Sequence, residues 1–170
     1  QNWKISETSK NEILFANSEA LLLFNGTSWN KYSSPNGSIV RSVKNIDDKI
    51  YIGSHSDFGF FQKSNNGVLV YTSLVEKLNL IIEEDEEFWN ILELDRWILF
   101  QSLDRIYIFD TKTGKLQHYV KSGKPGALSY NHVNKIYQDR QKRIWVMTQV
   151  GGLNQYLGPD KGFKVYTVTD

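Results

Sequence analysis

The stretch Arg143-Ile144-Trp145-Val146-Met147-Thr148-Gln149-Val150-Gly151-Gly152-Leu153-Asn154-Gln155-Tyr156 holds two short apolar runs separated by a polar turn that ends in two glycines. Short runs rich in Ile, Val, Trp and Tyr and bounded by Gly, Asn, Asp or Ser favour strand over helix, and two of them across a tight turn read as a hairpin. Val133-Asn134-Lys135-Ile136-Tyr137, closing on Asp139, supplies a strand before it, and Phe163-Lys164-Val165-Tyr166 supplies one after. The segment therefore predicts four strands in succession.

The same order recurs three more times. The apolar pairs are 12–16 with 21–24, 50–53 with 58–61, and 97–100 with 105–109. Each is preceded by one further candidate strand: Trp3 to Glu7, Val40 up to Asp47, and Phe88 up to Asp95. Each is followed by a strand carrying a tyrosine: Tyr32, Tyr71 and Tyr119, with Tyr166 in the fourth copy. These tyrosines are spaced 39, 48 and 47 residues apart, near the ~40 to 50 residues of a propeller blade. Middle runs that are apolar on consecutive residues, with no alternation, predict strands covered on both faces. Sheets packed face to face around an axis supply that cover, whereas a sandwich or barrel of four similar hairpin pairs, the competing arrangement, would alternate more cleanly.

The fold class expected is all-β, of β-propeller type, with four four-stranded antiparallel blades forming a small ring or an arc of a larger propeller. One unit is expected over 1–170, with blades at about 1–34, 38–74, 86–121 and 130–170. Two connections interrupt the pattern. Leu74 to Ile82 has helical spacing and runs into Glu83-Glu84-Asp85-Glu86-Glu87, expected as a solvated acidic loop, and Lys121 to Ser129 is a Pro/Gly loop.

Length and composition fit this reading. The chain of 170 residues is 40% hydrophobic, 23% charged and 14% aromatic, enough to build one globular core. Twenty Lys and Arg against nineteen Asp and Glu give +1, which removes the field that would attract a phosphate backbone, so direct nucleic-acid binding is not expected. No apolar run reaches the ~18 residues of a membrane helix, and no membrane contact is expected of this segment. The absence of Cys excludes disulfides and thiol chemistry. No initiating Met opens the chain, as in a processed or partial sequence, so the lack of a cationic leader says nothing of destination.

Leu128-Ser129, Asn131, Val133-Asn134-Lys135-Ile136-Tyr137-Gln138-Asp139, Ile144-Trp145-Val146, Gly152-Leu153-Asn154-Gln155-Tyr156 and Phe163 to Tyr166 together resemble the two-component regulator propeller repeat. The sequence departs from that pattern at Met147, where the family usually has glycine, and at Leu157, where aspartate is frequent. Met147 is expected in a packed strand. The three earlier copies are similar, more loosely, to the amino-terminal blades of bacterial sensor-regulators. The resemblance implies a ligand-sensing or protein-interaction module of a signal-transduction regulator, often glycan-related, in a periplasmic or extracytoplasmic setting and without catalysis of its own. It implies no site residue.

Candidate residues come from position. Turns between the second and third strands of each blade should share one rim, which places Ser18 and Glu19, His55 and Asp57, Asp104 and Arg105, and Gln149 and Val150 there. His55, Asp57, Asp104, Arg105 and Gln149 are the expected ligand-binding set, for a small polar ligand or an oligosaccharide. His55, His118 and His132 lie in no nucleophile context, so no catalytic residue is assigned. The acidic run lacks a calcium-loop spacing, so neither metal nor cofactor is expected. Trp89, Trp97 and Trp145 are expected as packing between blades, and Trp3 and Trp29 are less determined. A propeller lyase or hydrolase acting on polysaccharide is the alternative, and would need His, Tyr, Arg and carboxylates to converge. A pure scaffold is a third, with apolar end faces that contact further blades or a second copy.

Overall fold

The computed structural model describes residues 1–34 and 36–168. Sixteen strands form four antiparallel sheets, each in simple sequential order. Sheet 1 comprises β1 (Asn2–Glu7), β2 (Ile13–Asn17), β3 (Leu21–Phe24) and β4 (Trp29–Tyr32). Sheet 2 comprises β5 (Val40–Ile46), β6 (Lys49–Ser54), β7 (Phe58–Lys63) and β8 (Leu69–Ser73). Sheet 3 comprises β9 (Asn90–Leu94), β10 (Trp97–Gln101), β11 (Ile106–Asp110) and β12 (Leu116–Tyr119). Sheet 4 comprises β13 (Val133–Gln138), β14 (Ile144–Thr148), β15 (Leu153–Tyr156) and β16 (Phe163–Tyr166). Each sheet falls within one of the four repeat stretches, and the last two positions of the fourth stretch lie outside the described residues. Trp97 and Trp145 both sit in the second strand of their sheets, and the four spaced tyrosines all sit in fourth strands.

The turns explain the repetition. The first hairpin of each sheet passes through a left-handed residue: Asn11, Asp47, Asp95 and Lys142, with φ between 52° and 60°. Asn and Asp tolerate that region because their short side chains bond locally. Lys142 is the exception, and there Asp139 Oδ1 organises the turn by accepting from Gln141 N and Arg143 N, both at 2.9 Å. The third hairpin of each sheet turns through a left-handed glycine: Gly26, Gly67, Gly114 and Gly162. Only one helix is present among the described residues, the single turn α1 (Leu74–Lys77), capped by the Ser73 side chain accepting from Glu76 N at 3.0 Å. The helical spacing of 74–82 thus yields a helix only at its start. No helix is long and apolar enough to cross a membrane.

By contacts the chain resolves into two compact units, Gln1–Ile91 and Leu92–Asp170, where its length suggests one body. In the first, Leu14, Ala16, Leu21 and Leu23 of sheet 1 pack on Val40, Val43, Ile50 and Ile52 of sheet 2. In the second, Leu99, Ile106 and Ile108 of sheet 3 pack with Val133, Ile136, Ile144 and Val146 of sheet 4. Cover on both faces holds for β6, β7, β10 and β11, which are buried almost throughout. It fails for β2, β3, β14 and β15, whose burial alternates. Met147, expected in a packed strand, points out of sheet 4 and is 48% exposed. Period-two geometry is the reason: Val146 and Thr148 take the inner face, which leaves Met147 the outer one.

Candidate functional site

In the first unit the predicted rim residues His55 and Asp57 share the β6–β7 turn but face different surroundings. Ser54 closes the turn, its N and Oγ both donating to Asp57 O at 2.9 Å. The Asp57 side chain turns inward, is 7% exposed, and accepts from Tyr71 Oη at 2.9 Å and Ser73 Oγ at 2.6 Å. Burial pushes its carboxyl above the ordinary value, while these hydroxyl donors pull the other way. The Tyr71 hydroxyl is raised strongly, first by burial and then by the Asp57 charge. Gly59 permits the arrangement, since a Cβ there would lie 2.9 Å from Tyr71 Oη and closer still to Thr72 O.

His55 faces outward and meets a cluster that its own turn does not supply. Its Nδ1 lies 4.0 Å from Glu87 Oε1, the same atom that accepts from Arg41 Nε at 3.0 Å and Arg41 Nη2 at 2.6 Å. The Arg41 guanidinium sits in the corner formed by two indoles that meet edge to face, 4.1 Å from the Trp3 ring centre and 4.7 Å from that of Trp89. Arginine suits this place because its planar cation stacks on aromatic faces and keeps its in-plane donors for a carboxylate. Trp3 Nε1 in turn donates to Ser18 Oγ at 3.2 Å. Ser18, Trp3, Arg41, Trp89, Glu87 and His55 are therefore one connected group along the rim of sheets 1 and 2. Glu19, the other rim residue here, is exposed and pairs with Lys31 at 2.7 Å, which lowers its carboxyl below the ordinary value.

The acidic run forms a strap and only part of it is solvated. Ser56 N donates to Glu86 O at 2.7 Å, Phe88 N to Ser54 O at 3.1 Å, and Ser42 Oγ to Phe88 O at 2.8 Å. Ser56 Oγ also donates to Glu84 O. Glu86 is 8% exposed and Glu87 is the carboxylate of the Arg41 pair, so the expectation of a wholly solvated loop is corrected for these two. Trp89, expected inside a strand, lies just before β9 and serves as one wall of the corner that holds Arg41. Trp97 and Trp145 are half-buried strand residues.

In the second unit, Asp104 and Arg105 occupy the β10–β11 turn, Asp104 exposed and Arg105 half-buried. Gln149 is exposed on the β14–β15 turn, beside Val150. The residues that start sheet 4 bring the two turns together: Val133 N donates to Leu103 O at 2.6 Å and Gln149 N to His132 O at 2.8 Å. Gln101 Nε2 adds a bond to Val133 O at 2.9 Å.

The residues that most resemble the propeller repeat hold the backbone together. Asn154 is fully buried; its Oδ1 accepts from Ser129 N at 2.8 Å, and its Nδ2 donates to Ser129 Oγ at 2.9 Å and Val146 O at 3.3 Å. Thr148 Oγ1 lies 3.1 Å from Ser129 Oγ. At the opposite end, Asp139 Oδ2 accepts from Trp145 Nε1 at 2.9 Å and Arg143 Nε at 2.6 Å, and these donors, the indole first, hold its carboxyl down at about 2. Among the described residues, no group of three His, Asp or Glu is placed to hold a metal ion. The residues assigned to turns from sequence position do lie in turns, whereas the Arg41, Glu87 and Trp89 cluster escaped that reading, because Arg41 and Glu87 are 46 residues apart.

Comparison with known proteins bears out the resemblance. Residues 127–149 match the family described as Two component regulator propeller. No curated protein matches the chain by sequence. Among solved structures it is similar to the extracellular domain of a B. thetaiotaomicron protein assigned to a one component system, with a TM-score of 0.73 and 16% identity over 96% of this chain and 21% of that one. A second B. thetaiotaomicron extracellular domain, assigned to a hybrid two component system, matches with a TM-score of 0.72 and 15% identity over 96% and 23%. The WD40 β-propeller domain of Doa1 matches with a TM-score of 0.62 and 12% identity over 94% and 51%. These likenesses show the fold: all-β, of β-propeller type, with four four-stranded blades. The chain spans about a fifth of the length of the two B. thetaiotaomicron domains.

Proposed function

We propose that this chain is part of the extracytoplasmic, ligand-sensing or protein-contact propeller of a bacterial signal-transduction regulator, that its ligand is a glycan, and that it carries no catalysis of its own. The observation that carries this reading is the family match at 127–149 in a fold shared with extracellular regulator domains. The side chains on the rim support a holding role. In the first unit Glu87 is neutralised by Arg41 and Asp57 is enclosed by Tyr71 and Ser73, which leaves His55 facing outward on that turn; in the second unit Asp104 and Gln149 are exposed on their own turns and Arg105 is half-buried. Such groups can fix a polyhydroxylated ligand by hydrogen bonds, and a signal then follows if the ligand binds one packing of the domain better than another.

The outer face of sheet 4 supports the contact role. Lys135, Tyr137, Trp145, Met147 and Leu153 line an apolar groove of about 420 Å³. Its occupant is proposed to be a further blade of the same repeat type, since the inner face of this sheet is covered in that way and the similar extracellular domains are several times longer. A glycan array on the purified chain tests the main reading. Binding to a subset of glycans, weakened about tenfold or more when His55, Asp104, Arg105 and Gln149 are all replaced by Ala, is expected. Binding that ignores the four substitutions removes the rim, and no binding to any glycan removes the sugar.

A further inference from the structure

The connection between β12 and β13 and the β15–β16 hairpin enclose a cleft of about 260 Å³ in the second unit. Backbone bonds form its walls before any ligand arrives. Phe163 N donates to Gly126 O at 2.9 Å, Leu128 N to Val120 O at 3.2 Å and Leu157 N to Gly162 O at 2.8 Å. The Asn131 side chain also accepts from Lys121 N at 2.9 Å. Gly126 has φ of 79°, and a Cβ on it would stand 2.6 Å from Lys161 O, so the two loops meet backbone to backbone.

The floor is aromatic and polar at once. The Tyr119 ring meets Phe163 at 5.2 Å and Tyr156 at 5.9 Å, both nearly edge to face. Tyr119 Oη makes long hydrogen bonds to Gln117 Oε1 at 3.3 Å and Pro159 O at 3.4 Å. Behind Tyr119 the Tyr156 hydroxyl is enclosed and lies outside the lining of the cleft. Burial raises both phenols, so both remain O–H donors at neutral pH. Two cations, Lys124 and Lys161, line the cleft against a single carboxylate, Asp160. Pro125 and Pro159 add flat apolar surface on either side.

We propose that this cleft binds an acidic saccharide, a sugar of one or two rings that bears a carboxylate. The inference rests on the glycan-sensing reading for the class of ligand, and adds its charge and place. The volume lies just below that of sites for drug-sized ligands, which limits the occupant to one or two rings. Carbon-bound hydrogens of the sugar face the Tyr119 ring and the prolines, a hydroxyl meets Tyr119 Oη, and the carboxylate lies between Lys124 and Lys161.

Calorimetric titration of the whole chain with digalacturonate and with neutral digalactose tests this. The acid should bind, the neutral sugar should bind at least about tenfold more weakly, and added salt should narrow the gap. The double variant Lys124→Ala and Lys161→Ala should lose about tenfold or more for the acid, while Lys63→Ala in the other unit changes nothing. Tyr119→Phe should weaken binding severalfold with a melting temperature close to that of the parent chain, which separates a ligand contact from a structural one. No binding of digalacturonate, equal affinity for both sugars, or a double variant of unaltered affinity and melting temperature would overturn the proposal. A glycan screen with hits indifferent to Lys124 and Lys161 would also overturn it, yet leave the sensing reading standing. Digalacturonate binding that ignores the four rim substitutions would keep the cleft and remove the rim.

Discussion

The middle strands of sheets 2 and 3 and those of sheets 1 and 4 are drawn from similar apolar runs but live in different surroundings. Ile50 to Gly53, Ile98 to Phe100 and Ile106 to Phe109 are buried on consecutive positions, whereas Ile13 to Asn17 and Ile144 to Thr148 are buried on alternate ones. The outward face of sheet 1 shows Ile5 at 65% and Trp29 at 57% exposure; that of sheet 4 shows Tyr137 at 57%. A run of apolar residues thus specifies a strand without specifying how many of its faces are covered.

The largest effect expected from this contrast is in sheet 3. Leu99→Ala removes a fully buried side chain from the core it shares with sheet 4, and should cost about 2–5 kcal/mol by urea denaturation. Met147→Ala or Leu153→Ala, equally apolar but outward, should stay within about 0.5 kcal/mol. Similar costs for both would erase the distinction between the sheets.

Next come the polar clamps. Asn154→Ala leaves Ser129 N without its side-chain acceptor inside sheet 4, and should cost about 1–3 kcal/mol in the same assay. Arg41→Ala leaves Glu87 beside two indoles, with side-chain exposures of 11% and 22% before the change, and should cost about 1–3 kcal/mol, below the figure for a fully enclosed pair. If either variant has wild-type stability, the corresponding clamp does not hold its sheet.

Two aspartates give the smaller pH effects, of opposite sign. Asp139, at the exposed turn of sheet 4, is held at about 2 against an ordinary 3.8, so its contribution is present above about pH 4 and is lost as pH falls toward 2. Asp57, inside sheet 2, is raised above 3.8, so it favours the fold most when protonated, and stability declines as pH rises through its folded value. Asp139→Asn should flatten the acid limb of stability against pH, and Asp57→Asn should flatten the fall above it. The same sign of change in both variants would contradict the assigned surroundings.

Much of the fold was legible because strand runs, turn residues and the spaced tyrosines repeat along the chain. The left-handed turn glycines Gly26, Gly67, Gly114 and Gly162 carry the same period and were a second readable signal. Less of the site was legible. Position alone put Asp57 and His55 on one turn, which is correct, but nothing local shows that Asp57 points toward Tyr71 and Ser73 while His55 points toward Glu87. Trp89 and Glu87 were misread for the same reason: their partners, Trp3 and Arg41, arrive from other strands, and an acidic run looks solvated until the cation that pairs with it is known.

Hydroxyl-radical footprinting of the isolated chain tests the central contrast most directly, because it reads side-chain exposure residue by residue. Rapid modification of Met147, Tyr137 and Trp29 is expected, with protection of Tyr51, Phe58 and Phe100, which are buried in strands of sheets 2 and 3. Modification of Phe100 and Tyr51 as fast as that of Met147 in the folded protein would contradict that contrast.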